Sequence, residues 1–126
     1  MDGLRFLVVD DSLLTIKRVS ALLADLGHQV VGTAGTGRQA VAAYEDCKPD
    51  IVTMDITMPD MNGIEATRLI MEKYPEARII MVTSHGQERM VIDSLAAGAK
   101  GYVLKPIKPD KLADMIGKVV VTPEPA

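Results

Sequence analysis

Apolar residues along the chain fall into short runs, separated by stretches in which they recur every three or four positions. Phe6 to Val9, Val30 to Val31 with its flanks, Ile51 to Met54 and Ile79 to Val82 are runs rich in β-branched residues, and Tyr102 to Leu104 is a weaker one. Being apolar without alternation, they predict buried strands. Between them, helical spacing is held by Ile16, Val19, Leu23 and Leu26, by Ala40, Ala43, Tyr44 and Cys47, and by Ile64 to Met71. It continues through Val91, Leu95 and Gly98 and through Leu112, Met115, Ile116 and Val119. Ser12 and Thr36 suit helix starts, Gly27 and Gly98 helix ends, and Pro109 the first turn of the last helix. The alternation predicts an α/β fold with a parallel sheet and helices on both faces. In such sheets ligands bind outside the carboxyl ends of the strands.

The residues just past each run carry the chemistry. Asp10 and Asp11 follow the first, Asp55 the third, Thr83 and Ser84 the fourth, and Lys105 the fifth. If the first and third strands are neighbours, three carboxylates converge in one crevice, with a hydroxyl and an ammonium beyond them. Two carboxylates about 4 Å apart repel by about 4 kcal/mol at an effective dielectric near 20, so the cluster calls for a cation. Hard oxygens in a partly open site suit Mg2+, with Lys105 as the second positive charge. Such a site fits a dianionic phosphoryl group, toward which the Thr83 hydroxyl can donate, and an Asp carboxylate can itself be the nucleophile. Singly, each of these residues is ordinary at a strand end. Together, at the ends of four strands, they carry a functional reading.

Composition narrows the alternatives. At 126 residues the chain makes one domain, expected over 1–121, with a proline-containing tail or linker start at 122–126. Fourteen Lys and Arg against 17 Asp and Glu give a net charge of -3, which argues against a non-specific binder of nucleic acid or anionic membrane. Setting aside Asp10, Asp11 and Asp55 leaves 14 acids against 14 bases, while residues 86–126 hold 5 acids and 6 bases. Aromatic residues make up only 3%, too few for a base-stacking platform. One cysteine excludes an internal disulfide, and the first apolar run meets two aspartates, unlike a signal peptide or membrane span. A cytoplasmic protein is the expectation.

The segments FLVVDDS, VTMDITMPDMNG, IIMVTSHG and GAKGYVLKP resemble those of the receiver domains of two-component response regulators, over residues 4–121. The single-domain chemotaxis regulators are the most similar subgroup. The resemblance implies a doubly wound, flavodoxin-like (βα)5 fold with strand order 2-1-3-4-5. It implies Asp55 as phosphoacceptor from a sensor histidine kinase, and Asp10, Asp11, Asp55 and the backbone carbonyl of Thr57 as Mg2+ ligands. Thr83 and Lys105 would bind phosphoryl oxygens, and their reorientation would draw Tyr102 from an outward to an inward rotamer. The output would be a two-state switch delivered to a downstream protein through residues 86–121, without direct nucleic-acid contact and without multiple turnover on small substrates. A monomer or a weak phosphorylation-dependent dimer is implied, and Lys105-Pro106 is a candidate cis peptide. Thr57 and His85 stand where side chains flank the path of attacking water, so they are expected to set the phosphorylation lifetime. The alternative for His85 is a solvated loop histidine.

Rival functions meet specific obstacles. A flavodoxin-like nucleotide binder needs a hydroxyl- and glycine-rich loop where Asp10 and Asp11 stand. A phosphatase of the haloacid-dehalogenase type places a second acid two residues after its nucleophile, where this chain has Thr57 or Ser12. A receiver serving only as an interaction module, and a receiver excised from a larger regulator, share the same motifs. Gly32 to Gln39, GTAGTGRQ, lacks the lysine and hydroxyl of a phosphate-binding loop and reads as a turn before the second helix. Cys47 is expected as an inert core thiol, His28 on the surface, Met54 and Met81 in the core, Met58 and Met61 flanking a turn, and Gly63 permitting the turn into the third helix.

Overall fold

The computed structural model describes residues 3–84 and 88–121. Along the chain run β1 (Arg5–Val9), α1 (Leu13–Asp25), β2 (Gln29–Ala34), α2 (Gly37–Cys47) and β3 (Ile51–Asp55). They are followed by α3 (Gly63–Lys73), β4 (Ile79–Thr83), α4 (Glu88–Ala96), β5 (Gly101–Leu104) and α5 (Pro109–Val121). The strands form one parallel sheet in the order β2-β1-β3-β4-β5, so the expected topology is observed. No described helix is long and apolar enough to cross a membrane.

The run pattern holds best at the centre of the sheet. Every residue of β3 and β4 is buried. The edge strands depart from it: β5 alternates buried and exposed residues, and β2 fully buries Ala34 alone, because an edge strand has one neighbour and less helix cover. In β2 the register slips, Phe6 facing Val30 but Leu7 facing Gly32, which leaves Val31 as a bulge. The Cys47 thiol donates to the Val31 carbonyl at 3.5 Å and fills the space where Gly32 has no Cβ. Cys47 is therefore half-buried at the sheet edge, outside the deep core expected for it.

Helix boundaries follow the punctuation. Ser12, Thr36 and Asn62 accept hydrogen bonds from the backbone N–H groups of Thr15, Gln39 and Glu65, capping α1, α2 and α3. The end of α2 uses no glycine: Lys48 takes a left-handed conformation with φ 46°, and the Arg5 guanidinium donates to the Cys47 and Lys48 carbonyls at 2.7 and 2.8 Å. In α4 the expected stripe is shifted. Leu95 is exposed, and burial falls on the small residues Ser94 within the helix and Ala97 just beyond it.

The sheet separates two apolar layers of different character. The layer under α1 and α5 packs Phe6, Ile16, Leu23, Ile80, Leu112 and Ile116. The layer under α2 and α3 contains buried Met54, Met58 and Met81, with Met61, Met71 and Met90 packed against it, whereas among the described residues the first has only Met115 at its margin. His28 is a correction to the surface reading: it is half-buried, its ring lies 5.2 Å from that of Phe6, and its Nδ1 accepts from the Leu4 N–H at 3.3 Å.

Candidate functional site

Because β1 and β3 are neighbours, Asp10 and Asp55 leave the sheet side by side. The Asp10 N–H donates to the Ala34 carbonyl at 3.0 Å, continuing the ladder one residue beyond β1, and its Oδ1 accepts from the Ser12 N–H at 2.9 Å. That bond orients the carboxylate, and Ser12 in turn starts α1. Asp11 turns outward and is exposed, whereas Asp10 and Asp55 are 2% and 6% exposed.

Asp55 is held from behind. The Gly63 N–H donates to the Ile56 carbonyl at 2.7 Å, closing the loop between β3 and α3. A Cβ on Gly63 would sit 1.9 Å from the Asp55 carbonyl oxygen, so only glycine allows this approach. On the far side, β5 delivers Lys105, whose N–H donates to the Thr83 carbonyl at 2.8 Å and whose Nζ reaches Asp10 Oδ2 at 2.8 Å and Asp55 Oδ1 at 3.3 Å. The Lys105-Pro106 bond that follows is cis, as anticipated.

The electrostatics reflect crowding. Burial, then the charge of Asp10, push the Asp55 carboxyl up to about 6, against the opposing pull of Lys105. For Lys105, burial works against the charged form, but its bonds to Asp10 and Asp55 prevail and raise its pKa above the ordinary lysine value. One oxygen from each of Asp10, Asp11 and Asp55 lies within 4.8 Å of the others, a set of hard donors that could hold a metal ion. That donor set fits Mg2+, which prefers a few carboxylates and completes its shell with water or phosphate.

The chain matches the family model for the response regulator receiver domain over residues 6–117. It belongs to that family. This receiver domain is similar to the chemotaxis protein CheY of Thermotoga maritima, at 44% identity over 117 residues, 93% of this chain and 98% of the other. CheY of Bacillus subtilis is 43% identical over 116 residues, 92% and 97% of the two chains. Among solved structures, the CheX-CheY-BeF3-Mg2+ complex from Borrelia burgdorferi superposes with a TM-score of 0.92 at 37% identity, covering 96% of this chain and 92% of that one.

The site residues anticipated from sequence divide into three groups. Asp10, Asp11, Asp55 and Lys105 come together in the receiver domain's pocket. Thr83 is buried at the end of β4, Thr57 is exposed on the loop after β3, and Tyr102 lies 39% exposed on β5. His85 and residues 122–126 lie outside the described residues. The supports of the pocket are not legible in the sequence: Ser12 reads as a helix cap and gives no sign that its N–H holds Asp10, and Asp60, at φ 72°, carries a conformation that a non-glycine residue seldom announces.

Proposed function

We propose that this chain is a phosphorylation-dependent switch of a two-component pathway, accepting a phosphoryl group on Asp55. The observation that carries the reading is the convergence of Asp10, Asp11 and Asp55 around a Lys105 ammonium bonded to two of them. An Asp55 oxygen attacks phosphorus in line, forming a P–O bond as the P–N bond to a donor imidazole of a sensor histidine kinase breaks. With its pKa at about 6, the Asp55 carboxyl is mainly ionised at neutral pH and available as nucleophile. Mg2+, held by Asp10, Asp11, Asp55 and the Thr57 carbonyl, would supply charge neutralisation for the incoming phosphoryl oxygens. Lys105, now bonded to Asp10 and Asp55, would exchange those bonds for a phosphoryl oxygen, and Thr83 would donate to another. That exchange is the differential interaction that shifts a two-state equilibrium and moves Tyr102 inward.

The switch would be read by a downstream protein through residues 86–121. Four features support this face: exposed Ile92, Leu95 and Leu104, and an open groove of about 640 Å³ beside Tyr102, Lys108, Lys111 and Lys118. Residues 1–121 would act as one unit in the cytoplasm, with 122–126 as a tail or linker. Thr57 and His85 would set the lifetime of the phosphorylated form, so exchanging either should change the decay rate of acyl phosphate on the protein.

The decisive experiment is labelling with a small acyl phosphate in Mg2+. A single stoichiometric incorporation, lost in Asp55→Asn, is expected. Equal labelling of that variant would remove the assignment, and continued turnover of excess phosphomonoester would mark a phosphatase instead.

A further inference from the structure

We propose that the first turn of α2, through Gly37 and Arg38, is a strut that positions the β3–α3 loop and thereby sets the metal affinity of the acceptor pocket. This rests on the reading of that pocket as a Mg2+ site in which Thr57 contributes its carbonyl. The loop between Asp55 and Gly63 is pinned at its base by the Gly63-to-Ile56 bond and by the close approach of Gly63 to Asp55. Its tip is a different matter. There the Met61 N–H donates to the Pro59 carbonyl at 2.9 Å, closing a three-residue turn around Asp60, whose φ of 72° is the strained hand for an L-residue. Such a turn persists only when its surroundings over-determine it.

The surroundings here belong to α2. Arg38 Nε donates to Asp60 Oδ2 at 2.7 Å, gripping the residue at the centre of the turn. Beside it, the Met61 backbone lies against Gly37 so closely that a Cβ on Gly37 would fall 2.4 Å from the Met61 carbonyl oxygen. Both residues are therefore positioning residues: they touch the loop that carries Thr57 and none of the pocket carboxylates Asp10, Asp11 and Asp55.

The test is Mg2+ titration by calorimetry of the unphosphorylated chain, with Arg38→Gln, Asp60→Asn and Gly37→Ala. Asn tolerates the left-handed backbone of Asp60, so that exchange removes the charge and leaves the turn its preferred residue type. If the two charges acted only through the field, Arg38→Gln would tighten Mg2+ and Asp60→Asn would weaken it. As a strut, both weaken it, each by about 3-fold, the range of an exposed pair, and the double variant is no worse than either single one. Gly37→Ala weakens it by about 10-fold, the scale of outer-shell supports. Unchanged affinity in Arg38→Gln and Asp60→Asn, or a tightened one in Arg38→Gln, overturns the strut while leaving the metal site standing. A parent chain that binds no Mg2+ overturns the site reading and the strut with it. A purely structural role would lower the melting temperature and leave the affinity where it was.

Discussion

Asp55 is held in its charged form at a cost, and Asp55→Asn makes that cost measurable. The carboxyl titrates at about 6 in the folded chain against an ordinary 3.8, a difference of about 2 units, with burial as the main cause. At 1.36 kcal/mol per unit this corresponds to about 3 kcal/mol. The sign follows from proton binding: between the two values the folded state holds more protons than the unfolded one, so stability falls as pH rises from near 4 to near 6, then levels. Asn is close to isosteric and carries no charge. In EDTA at pH 7.5 the variant should exceed its parent by about 1–3 kcal/mol in urea unfolding, or about 4 °C in melting midpoint per kcal/mol for a chain of this length. The gap should close by pH 4. Excess Mg2+ should reverse it if Asp55 is a ligand as proposed, because ligand at about 100 times its Kd stabilises the parent by about 2.7 kcal/mol while the variant would lack that oxygen. A variant no more stable than its parent in EDTA at pH 7.5, or a gap that stays constant down to pH 4, would refute the reasoning.

Three further outcomes are expected. Thr53 is 1% exposed and its hydroxyl has no partner among the described residues, so Thr53→Val, which replaces that oxygen by a methyl, should raise stability by about 1 kcal/mol in urea unfolding; a loss would mean the hydroxyl is satisfied. Arg5→Met keeps the side-chain stem but removes the two bonds to the end of α2, so it should lower stability by about 1 kcal/mol, read from the same curves. Gly63→Ala must force a Cβ against the Asp55 carbonyl. It should cost about 2–4 kcal/mol and reduce acyl phosphate labelling even at temperatures where circular dichroism shows the chain folded; full labelling would contradict the tight fit.

The sequence announces the central strands and the pocket for the same reason. Thr53 apart, Ile51 to Met54 and Ile79 to Val82 are apolar on both faces because helices cover both, and the residues that end them must meet solvent, so polar chemistry there stands out. The edges are less legible. Val31 is an apolar residue in an apolar run, and nothing in its identity marks the bulge, which depends on how Phe6 and Leu7 align with a neighbouring strand. Lys48 and Asp60 at positive φ are hidden likewise, since backbone strain is imposed by contacts distant in sequence, Arg5 reaching the end of α2 and Arg38 reaching the loop. Leu95 misleads in the other direction. Its spacing fits a buried stripe, but burial in this segment falls on Ser94 and Ala97, leaving the larger side chain outside.

The unequal make-up of the two apolar layers has a mechanical consequence. Thioether side chains are unbranched and have several rotamers of similar energy, whereas Ile, Val and Phe have few. The layer containing Met54, Met58 and Met81, with Met71 and Met90 against it, can therefore rearrange at little expense, while the layer of Phe6, Ile16, Ile80 and Ile116 holds its shape. One side of the sheet acts as a fixed datum and the other as a compliant bearing, so a disturbance at the carboxyl ends of the strands should be taken up under α2, α3 and α4 and leave α1 and α5 in place. Methyl relaxation would expose the difference, and methionine methyls as rigid as those of Ile80 would deny it.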